Sequence, residues 1–382
     1  MSDYVIIFDD SKFEITLENK NLRIRRPDEK TKFFPIKYIG QVVIFGSPKV
    51  SCNVWRELAE NAIPSIIFPG RGRGVPAWVT PGLSSSVMVR VSQHEASKDS
   101  EIVDKVCRWL LDQKLSGHQN LIYGFTKLAE EDNDESYIYN VLQAFDDRSF
   151  LNKAIDDIKK IRGDLKTATG REQLMGYEGA AAHIWFDILA KILPKEWNFT
   201  GRNRRPPKDP INALMSLTYT MAMGDVHTTV HDRGLDPCIG FLHALLPGRE
   251  SLVLDVLEPL RCGADAFVLH LLDCGIQPKH FTYSSENGCR LNKEARKIYF
   301  TQWSEWRMEW PYFLLDKSYV SLIESSDDTT DYEYDPDYEY DPDEYDSDDE
   351  YDSDDPDVKT KSLKKCCWWI IKDLISHWTD KD

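Results

Sequence analysis

Residues 171–193 read REQLMGYEGAAAHIWFDILAKIL, and this stretch decides the class of fold. Apolar side chains recur along it at helical spacing and on most of its sides, which predicts a long helix. Because such a helix needs neighbours all round, we expect it to be central to a helical domain. The same spacing predicts further helices over residues 102–111, 121–128, 136–162, 210–223 and 250–260.

The first ninety or so residues follow a different pattern. VIIF (5–8), VVIF (42–45) and SIIF (65–68) are short apolar runs, and the last two end at glycine or proline. FEITLENKNLRIR (13–25) alternates apolar and polar residues on both sides of a polar turn, which predicts a hairpin. CNVWRELAENAI (52–63) is a short helical stretch between these runs. Short strands with such punctuation indicate a compact β-sandwich-like domain.

We therefore predict an α+β protein. The β-domain is expected over residues 1–90, and a larger all-α catalytic domain over residues 95–325. Neither an apolar run long enough to cross a membrane nor a signal peptide is evident. The eight cysteines form no CxxC pair, and their spacing suits neither a zinc site nor a disulfide scaffold. These features favour a reduced, cytoplasmic protein.

The charge of the chain is concentrated in one segment. Residues 327–357 hold 18 of the 64 acidic residues and none of the 47 basic ones, so the net charge of −17 describes this segment. The rest is close to neutral, and overall acidity does not argue against binding to nucleic acid. DYEYDPD occurs at 331–337 and again at 337–343. Such a low-complexity acidic tract cannot bury a core, so we predict a disordered linker over residues 326–357.

The C-terminal residues 358–382 are basic and amphipathic, which predicts a short helix. Its apolar face would be formed by Leu363, Cys367, Ile370, Ile371, Leu374 and Trp378. Two interpretations of the tail remain open. The acidic tract could compete with DNA for a basic groove while the helix docks on a partner or a membrane surface. Alternatively, the tract is a passive linker and the helix packs on the body of the protein.

Four residues of the predicted helical domain carry the most suggestive chemistry. Asp255 and Glu258 are three residues apart within an apolar helix, so their carboxylates share one face. His243 ends the apolar run GFLH, and Glu178 stands beside Gly179 and three alanines. Salt bridges, a core histidine and tight helix packing would each explain one of these residues. Together they supply a donor set for Mg²⁺ or Mn²⁺, which acts on phosphodiesters by polarising them.

Four motifs of this domain occur together in one order. They are EGAAAHIWF (178–186), NRRPPKDPINALMSLTY (203–219), GLDPCIGFLH (234–243) and GRESLVLDVLEPLR (248–261). In this order and spacing they resemble the universal CRISPR-associated endonuclease, the integrase subunit of the adaptation complex. The resemblance covers roughly residues 1–315.

The resemblance implies an active site and an assembly. Glu178, His243 and Glu258 would hold Mg²⁺ or Mn²⁺, and Asp255 would complete the catalytic set. Such enzymes cleave double-stranded DNA and join captured fragments to the CRISPR repeat through their 3′-hydroxyl groups. The β-domain would form a homodimer. A dimer of a small second CRISPR-associated protein would bridge two homodimers into a heterohexamer, and no membrane would be required.

Basic residues near these motifs fit a DNA substrate, because contacts to phosphates add affinity without reading sequence. Four precede the helix at 210 and two flank the helix at 250: Arg202, Arg204, Arg205 and Lys208, then Arg249 and Arg261. A solvated loop would explain the first group equally simply, and Arg249 and Arg261 could instead orient the carboxylates. His227 and His231 are four residues apart, a spacing that could hold a metal ion in a helix. The ThrThrVal between them disfavours a helix, so we expect loop or surface positions.

Two other functions remain open. A transposon-type integrase of the same superfamily would share the site, although such proteins often carry a C-terminal helix-turn-helix domain in place of an acidic tract. A metal-dead DNA-binding scaffold is the other alternative, which the complete set of candidate ligands disfavours. The chain has no GxSxG, Walker or dinucleotide-binding motif, so serine hydrolases, ATPases and dehydrogenases lack support.

Overall fold

The computed structural model describes residues 4–9, 11–27, 29–69, 76–80, 87–130, 136–203, 206–286, 288–311, 314 and 362–379. The predicted acidic linker, Arg204 and Arg205 lie outside these residues. Strands come first, helices follow, and a further helix lies near the C-terminus. The predicted α+β class is confirmed.

The N-terminal region consists of two four-stranded sheets around a small core. One sheet has the order β1-β5-β7-β8 and the other β4-β3-β2-β6. Their strands are β1 (Tyr4–Phe8), β2 (Glu14–Glu18), β3 (Asn21–Arg25), β4 (Lys32–Pro35), β5 (Ile39–Ile44), β6 (Lys49–Val50), β7 (Ser65–Ile67) and β8 (Ala77–Val79). Helix α1 (Cys52–Glu60) buries Val54 and Leu58 against this core. The predicted hairpin is β2-β3, whose turn holds Asn19 and Lys20 at positive φ.

Helices form the rest of the body, together with one small hairpin. They are α2 (Val87–Ala96), α3 (Ser100–Leu128), α4 (Tyr137–Gln143), α5 (Ser149–Leu165), α6 (Arg171–Ile192), α7 (Pro210–Asp232), α8 (Ser251–Asp273) and α9 (Lys293–Met308). The hairpin pairs β9 (Phe281–Ser284) with β10 (Gly288–Leu291). Residues 136–162, predicted as one helix, contain α4 and the greater part of α5.

The expectation that the 171–193 helix is central was wrong. Helix α6 buries one side, including Leu174, Trp185 and Leu189, while its small residues leave the other side open. A Cβ at Gly176 or Gly179 would meet no atom within 4 Å. Helix α8 is the central one, because nearly all of its residues are buried and it packs on both α3 and α7. It also continues through Pro259 to Asp273, well past the predicted end.

A buried polar network joins the N-terminal sheet to the helices. The indole Nε1 of Trp303 donates to Oε1 of Gln41 at 3.0 Å. The amide of Gln41 donates to the carbonyl of Met221 at 3.2 Å. Nearby, the guanidinium of Arg307 donates to Asp225 at 2.6–3.0 Å. These paired polar groups fix the relative positions of β5, α7 and α9.

The terminal helix α10 (Leu363–Thr379) packs on α7, α2 and α3. Its buried apolar residues form one face that joins the main core: Leu363, Cys366, Cys367, Ile370, Ile371 and Leu374. The predicted apolar face is therefore covered by the protein's own body. Among the residues that the structure describes, no helix combines the length and apolar character needed to cross a membrane.

Candidate metal centre

Two acidic side chains from different helices meet around one lysine. The ammonium of Lys114 on α3 contacts Oε1 of Glu178 on α6 and lies 2.7 Å from Oε2 of Glu258 on α8. Lys114 is 6% exposed and Glu258 only 4%. Because two carboxylates repel each other at low dielectric, this cation compensates for their close approach.

Asp255, another candidate, holds His243 in position through hydrogen bonds. Oδ2 of Asp255 accepts from the backbone N–H groups of Phe241 at 2.6 Å and Leu242 at 3.0 Å. Oδ1 lies 2.9 Å from the backbone nitrogen of His243 and 2.7 Å from its Nδ1. Because a carboxylate only accepts, Nδ1 carries a proton, and in the neutral imidazole Nε2 is then the nitrogen that has a free lone pair. Asp255 thus sets both the position and the tautomer of the imidazole.

A glycine allows this loop to approach α8. A Cβ at Gly240 would lie 2.7 Å from Oδ2 of Asp255 and 2.7 Å from the carbonyl carbon of Ser251. Any side chain there would push the loop away from the helix. Gly240, like Asp255, therefore allows the loop that carries His243 to lie close to α8.

The imidazole and the second carboxylate face each other. Nε2 of His243 lies 3.8 Å from Oε1 of Glu258, which also accepts from the guanidinium of Arg261 at 2.9 Å. Burial alone would raise the pKa of Glu258. The charges of Arg261 and Lys114 outweigh it and hold that pKa well below its usual range. Glu258 is consequently a carboxylate anion at neutral pH, the form that binds a metal ion.

Arg261 is itself held by a buried layer beneath the site. Its guanidinium lies 4.6 Å from the ring centroid of Tyr219. The hydroxyl of Tyr219 donates to Asp265, which also accepts from Nε1 of Trp185 at 2.8 Å. Arg261 therefore acts in this structure as a partner of Glu258, in keeping with the interpretation that it orients a carboxylate.

The donor set of these residues has the chemistry that a divalent ion requires. Within the described part of the chain, no three His, Cys, Asp or Glu side chains are placed so that they could together hold a metal ion as they stand. Oε2 of Glu258 is nevertheless buried and receives no hydrogen bond, although the ammonium of Lys114 is close enough for an ion pair. Two carboxylates and one imidazole nitrogen are ligands suited to Mg²⁺ or Mn²⁺. The residues thus fit such an ion, which would compete with Lys114 for the same carboxylates.

The candidate DNA contacts differ in their surroundings. The guanidinium of Arg202 donates to Oδ1 of Asn212 at 2.8 Å and lies 5.5 Å from the ring centroid of Tyr219. Lys208 is exposed, and Arg249 is half-buried in the turn before α8. The structure therefore leaves Lys208 open to a phosphate and ties Arg202 to the start of α7.

The expectation that His227 and His231 occupy loop or surface positions was wrong. Both lie in α7, and His227 is buried with Nε2 2.8 Å from Oε1 of Glu250. The intervening threonines do not end the helix, because packing offsets their low propensity. Their hydroxyls donate to the carbonyls four residues earlier, from Thr228 to Gly224 and from Thr229 to Asp225.

Lys114 is the site residue that the sequence reasoning missed. It stands between Leu111 and Leu115, both of which are buried on α3. A lysine on an apolar helix face requires a buried anion, because an unpaired buried charge is costly. That signal was available in the sequence, but it does not name the partner.

Fold and site together define an α+β protein that has a candidate divalent-metal centre in its helical part. Residues 6–305 match the family described as CRISPR associated protein Cas1. The chain therefore belongs to the Cas1 family, and the resemblance seen in its motifs is confirmed.

Two named relatives cover most of the chain. The CRISPR-associated endonuclease Cas1 1 of Chlorobaculum tepidum is 37% identical over 286 residues, 74% of this chain and 79% of that protein. The CRISPR-associated endonuclease Cas1 1 of Thermodesulfovibrio yellowstonii is 28% identical over 303 residues, 79% of this chain and 90% of that protein.

Solved structures share the fold. A casposase bound to an integration product has a TM-score of 0.66 at 20% identity, covering 80% of this chain and 83% of its own. A chain of a Cas6-RT-Cas1–Cas2 complex has a TM-score of 0.63 at 21% identity, covering 80% of this chain and 32% of its own. At these identities the likeness shows the fold alone.

Proposed function

We propose that this protein is a metal-dependent DNA endonuclease and integrase of CRISPR adaptation. It joins captured double-stranded fragments to the CRISPR repeat by transesterification through their 3′-hydroxyl groups. The observation that carries the proposal is the contact of the buried Lys114 with both Glu178 and Glu258, with His243 beside Glu258. Membership of the Cas1 family and the endonuclease names of its relatives support it.

In this proposal each residue has a distinct role. Glu178, Glu258 and Nε2 of His243 hold Mg²⁺ or Mn²⁺, which supplies polarisation of the phosphodiester and stabilises developing charge when bound. Asp255 keeps Nδ1 of His243 protonated and Nε2 free, as a partner behind a metal-binding histidine commonly does. Arg261 keeps Glu258 ionised and oriented.

The DNA and protein partners follow from the same proposal. Lys208 and Arg249, with Arg202, Arg204 and Arg205, contact the phosphates of double-stranded DNA. Residues 1–90 form the dimer interface, residues 95–325 the catalytic domain, 326–357 a linker and 358–382 the terminal helix. A small Cas2-like dimer bridges two homodimers into a heterohexamer, in keeping with a neighbour of this fold that belongs to a Cas1–Cas2 complex.

The alternatives are weaker. A transposon-type integrase is favoured only by the fold shared with the casposase. Genomic context separates the two readings, because a repeat array accompanies one and inverted terminal repeats accompany the other. A metal-dead scaffold is disfavoured because the carboxylates and the imidazole are all present and His243 lies beside Glu258.

The test is strand transfer of a short duplex into a supercoiled plasmid. Reactions contain Mn²⁺, Mg²⁺ or a chelator, each with and without the Cas2-like partner. We expect joined products that disappear with the chelator and with His243→Ala. The control is His183→Ala, which alters an exposed histidine paired with Asp187. Joining that survives His243→Ala would remove His243 from the ligand set. DNA binding without joining, with the partner present, would favour the scaffold.

A further inference from the structure

The terminal helix α10 touches the loop that carries His243. The indole of Trp378 stacks on the ring of Phe241, with centroids 5.2 Å apart and planes 24° apart. Its Nε1 donates to Oγ of Ser92 on α2 at 3.2 Å. A residue near the end of the chain is thereby held in place from two sides.

Phe241 is the residue through which this contact reaches the candidate metal centre. Its side chain is 1% exposed, and its backbone N–H makes the 2.6 Å hydrogen bond to Asp255. The next two residues, Leu242 and His243, bond the same carboxylate through their backbone nitrogens. Displacement of the Phe241 ring would therefore disturb the first of three consecutive backbone contacts that end at His243.

We propose that Trp378 is a positioning residue that clamps the His243 loop. By packing on Phe241 it keeps the loop against Asp255, and so fixes Nε2 of His243 with respect to Glu258. Its effect on catalysis rests on the proposed function, whereas its effect on loop order does not. This role gives α10 a purpose beyond covering apolar surface.

The direct test is hydrogen exchange of the full-length protein without metal or DNA. In Trp378→Ala we expect the amides of residues 241–243 to exchange about two- to tenfold faster, the range that loss of an aromatic pair implies. Trp378→Phe retains an aromatic ring and should restore most of the protection. Ser92→Ala isolates the hydrogen bond to Nε1.

The matched control is Trp368→Ala. Trp368 lies on the same helix with similar partial burial, but its ring faces the guanidinium of Arg233 at 5.1 Å. We expect this variant to leave exchange at 241–243 unchanged. Equal exchange in the Trp378→Ala and Trp368→Ala variants would overturn the proposal. So would acceleration spread evenly over the whole chain, which indicates global loss of stability.

A second measurement concerns metal affinity. The dissociation constant for Mn²⁺, measured by calorimetry, should rise about two- to tenfold in Trp378→Ala, in line with the same contact energy, and recover in Trp378→Phe. Strand transfer should fall through the turnover rate, with little change in DNA affinity. Faster exchange at residues 241–243 in Trp378→Ala, together with no strand transfer by the wild type, would refute the proposed function alone. Unchanged exchange at residues 241–243 in Trp378→Ala, together with strand transfer by the wild type, would refute the clamp alone.

Discussion

The ammonium of Lys114 lies 2.7 Å from Oε2 of Glu258, and both side chains are buried. The same ammonium also contacts Glu178. This lysine stands where a divalent cation would have to neutralise the two carboxylates. The pairing stabilises the metal-free site, and a metal ion bound by these carboxylates would have to compete with Lys114.

Replacing Lys114 should therefore make stability depend on metal. Lys114→Met leaves the buried Glu258 and the half-buried Glu178 without the ammonium that lies between them, and we expect a loss of about 3–5 kcal/mol in the free energy of unfolding. Added Mn²⁺ should recover much of this loss, because a ligand that binds only the folded state stabilises it. Urea unfolding with and without Mn²⁺ measures both effects.

The control for this substitution is Lys153→Met, which removes an exposed ion pair with Asp157 on α5. It should change stability by less than about 1 kcal/mol. If Lys114→Met were as stable as this control, or showed no response to Mn²⁺, the competition between lysine and metal would be refuted.

Asp255→Asn should weaken metal binding while keeping the shape of the side chain. The amide group places N–H donors against the backbone and ring N–H groups that now donate to the carboxylate. Loss of such a partner behind a ligand typically costs about 10- to 100-fold in metal affinity. Titration with Mn²⁺ in a calorimeter measures it. Asp187→Asn alters an exposed aspartate beside His183 and should have no effect; equal affinities in both variants would contradict the prediction.

Gly240→Ala should displace the His243 loop. The added Cβ would lie 2.7 Å from the carbonyl carbon of Ser251, which the backbone of α8 cannot easily yield. We expect a loss of about 1–3 kcal/mol in stability, together with loss of strand transfer. Gly163→Ala is the control: its Cβ would meet no atom within 4 Å, and alanine should add up to about 1 kcal/mol to helix α5. An active, stable Gly240→Ala variant would show that the loop tolerates a wider gap.

Stability should fall in mildly acidic solution because of His231. Burial lowers the pKa of His231, and the neighbouring His227 lowers it further. Below about pH 6.5 the unfolded chain takes up a proton that the folded protein resists, so the free energy of unfolding falls with pH. Above that pH the contribution of His231 is constant.

Urea unfolding at several pH values between about 7.5 and 5 tests this sign. His231→Gln should flatten the decline, whereas the exposed His183→Gln should leave it as in the wild type. A decline of equal slope in the wild type and in His231→Gln would assign the pH dependence to other groups.

The local sequence pattern was sufficient to predict several helices and strands of this protein. It did not predict which helix is the most buried. The hairpin β2-β3 and helices such as α1 and α6 follow from periodicity, because apolar spacing reports which face an element buries. Periodicity did not reveal that α6 is exposed on its Gly176–Gly179 side and that α8 is central. The burial of a helix depends on which other elements pack against it, and those elements come from distant parts of the chain.

The sequence by itself determined the α+β order, the Cas1-type motifs and the identity of Glu178, His243, Asp255 and Glu258 as candidates. Only the tertiary structure decided their relations. It placed Asp255 behind His243, inserted Lys114 between two carboxylates and brought Trp378 onto Phe241. Each of these contacts joins two different elements of the fold. Spacing along the sequence carries no information about such distances, because packing alone sets them.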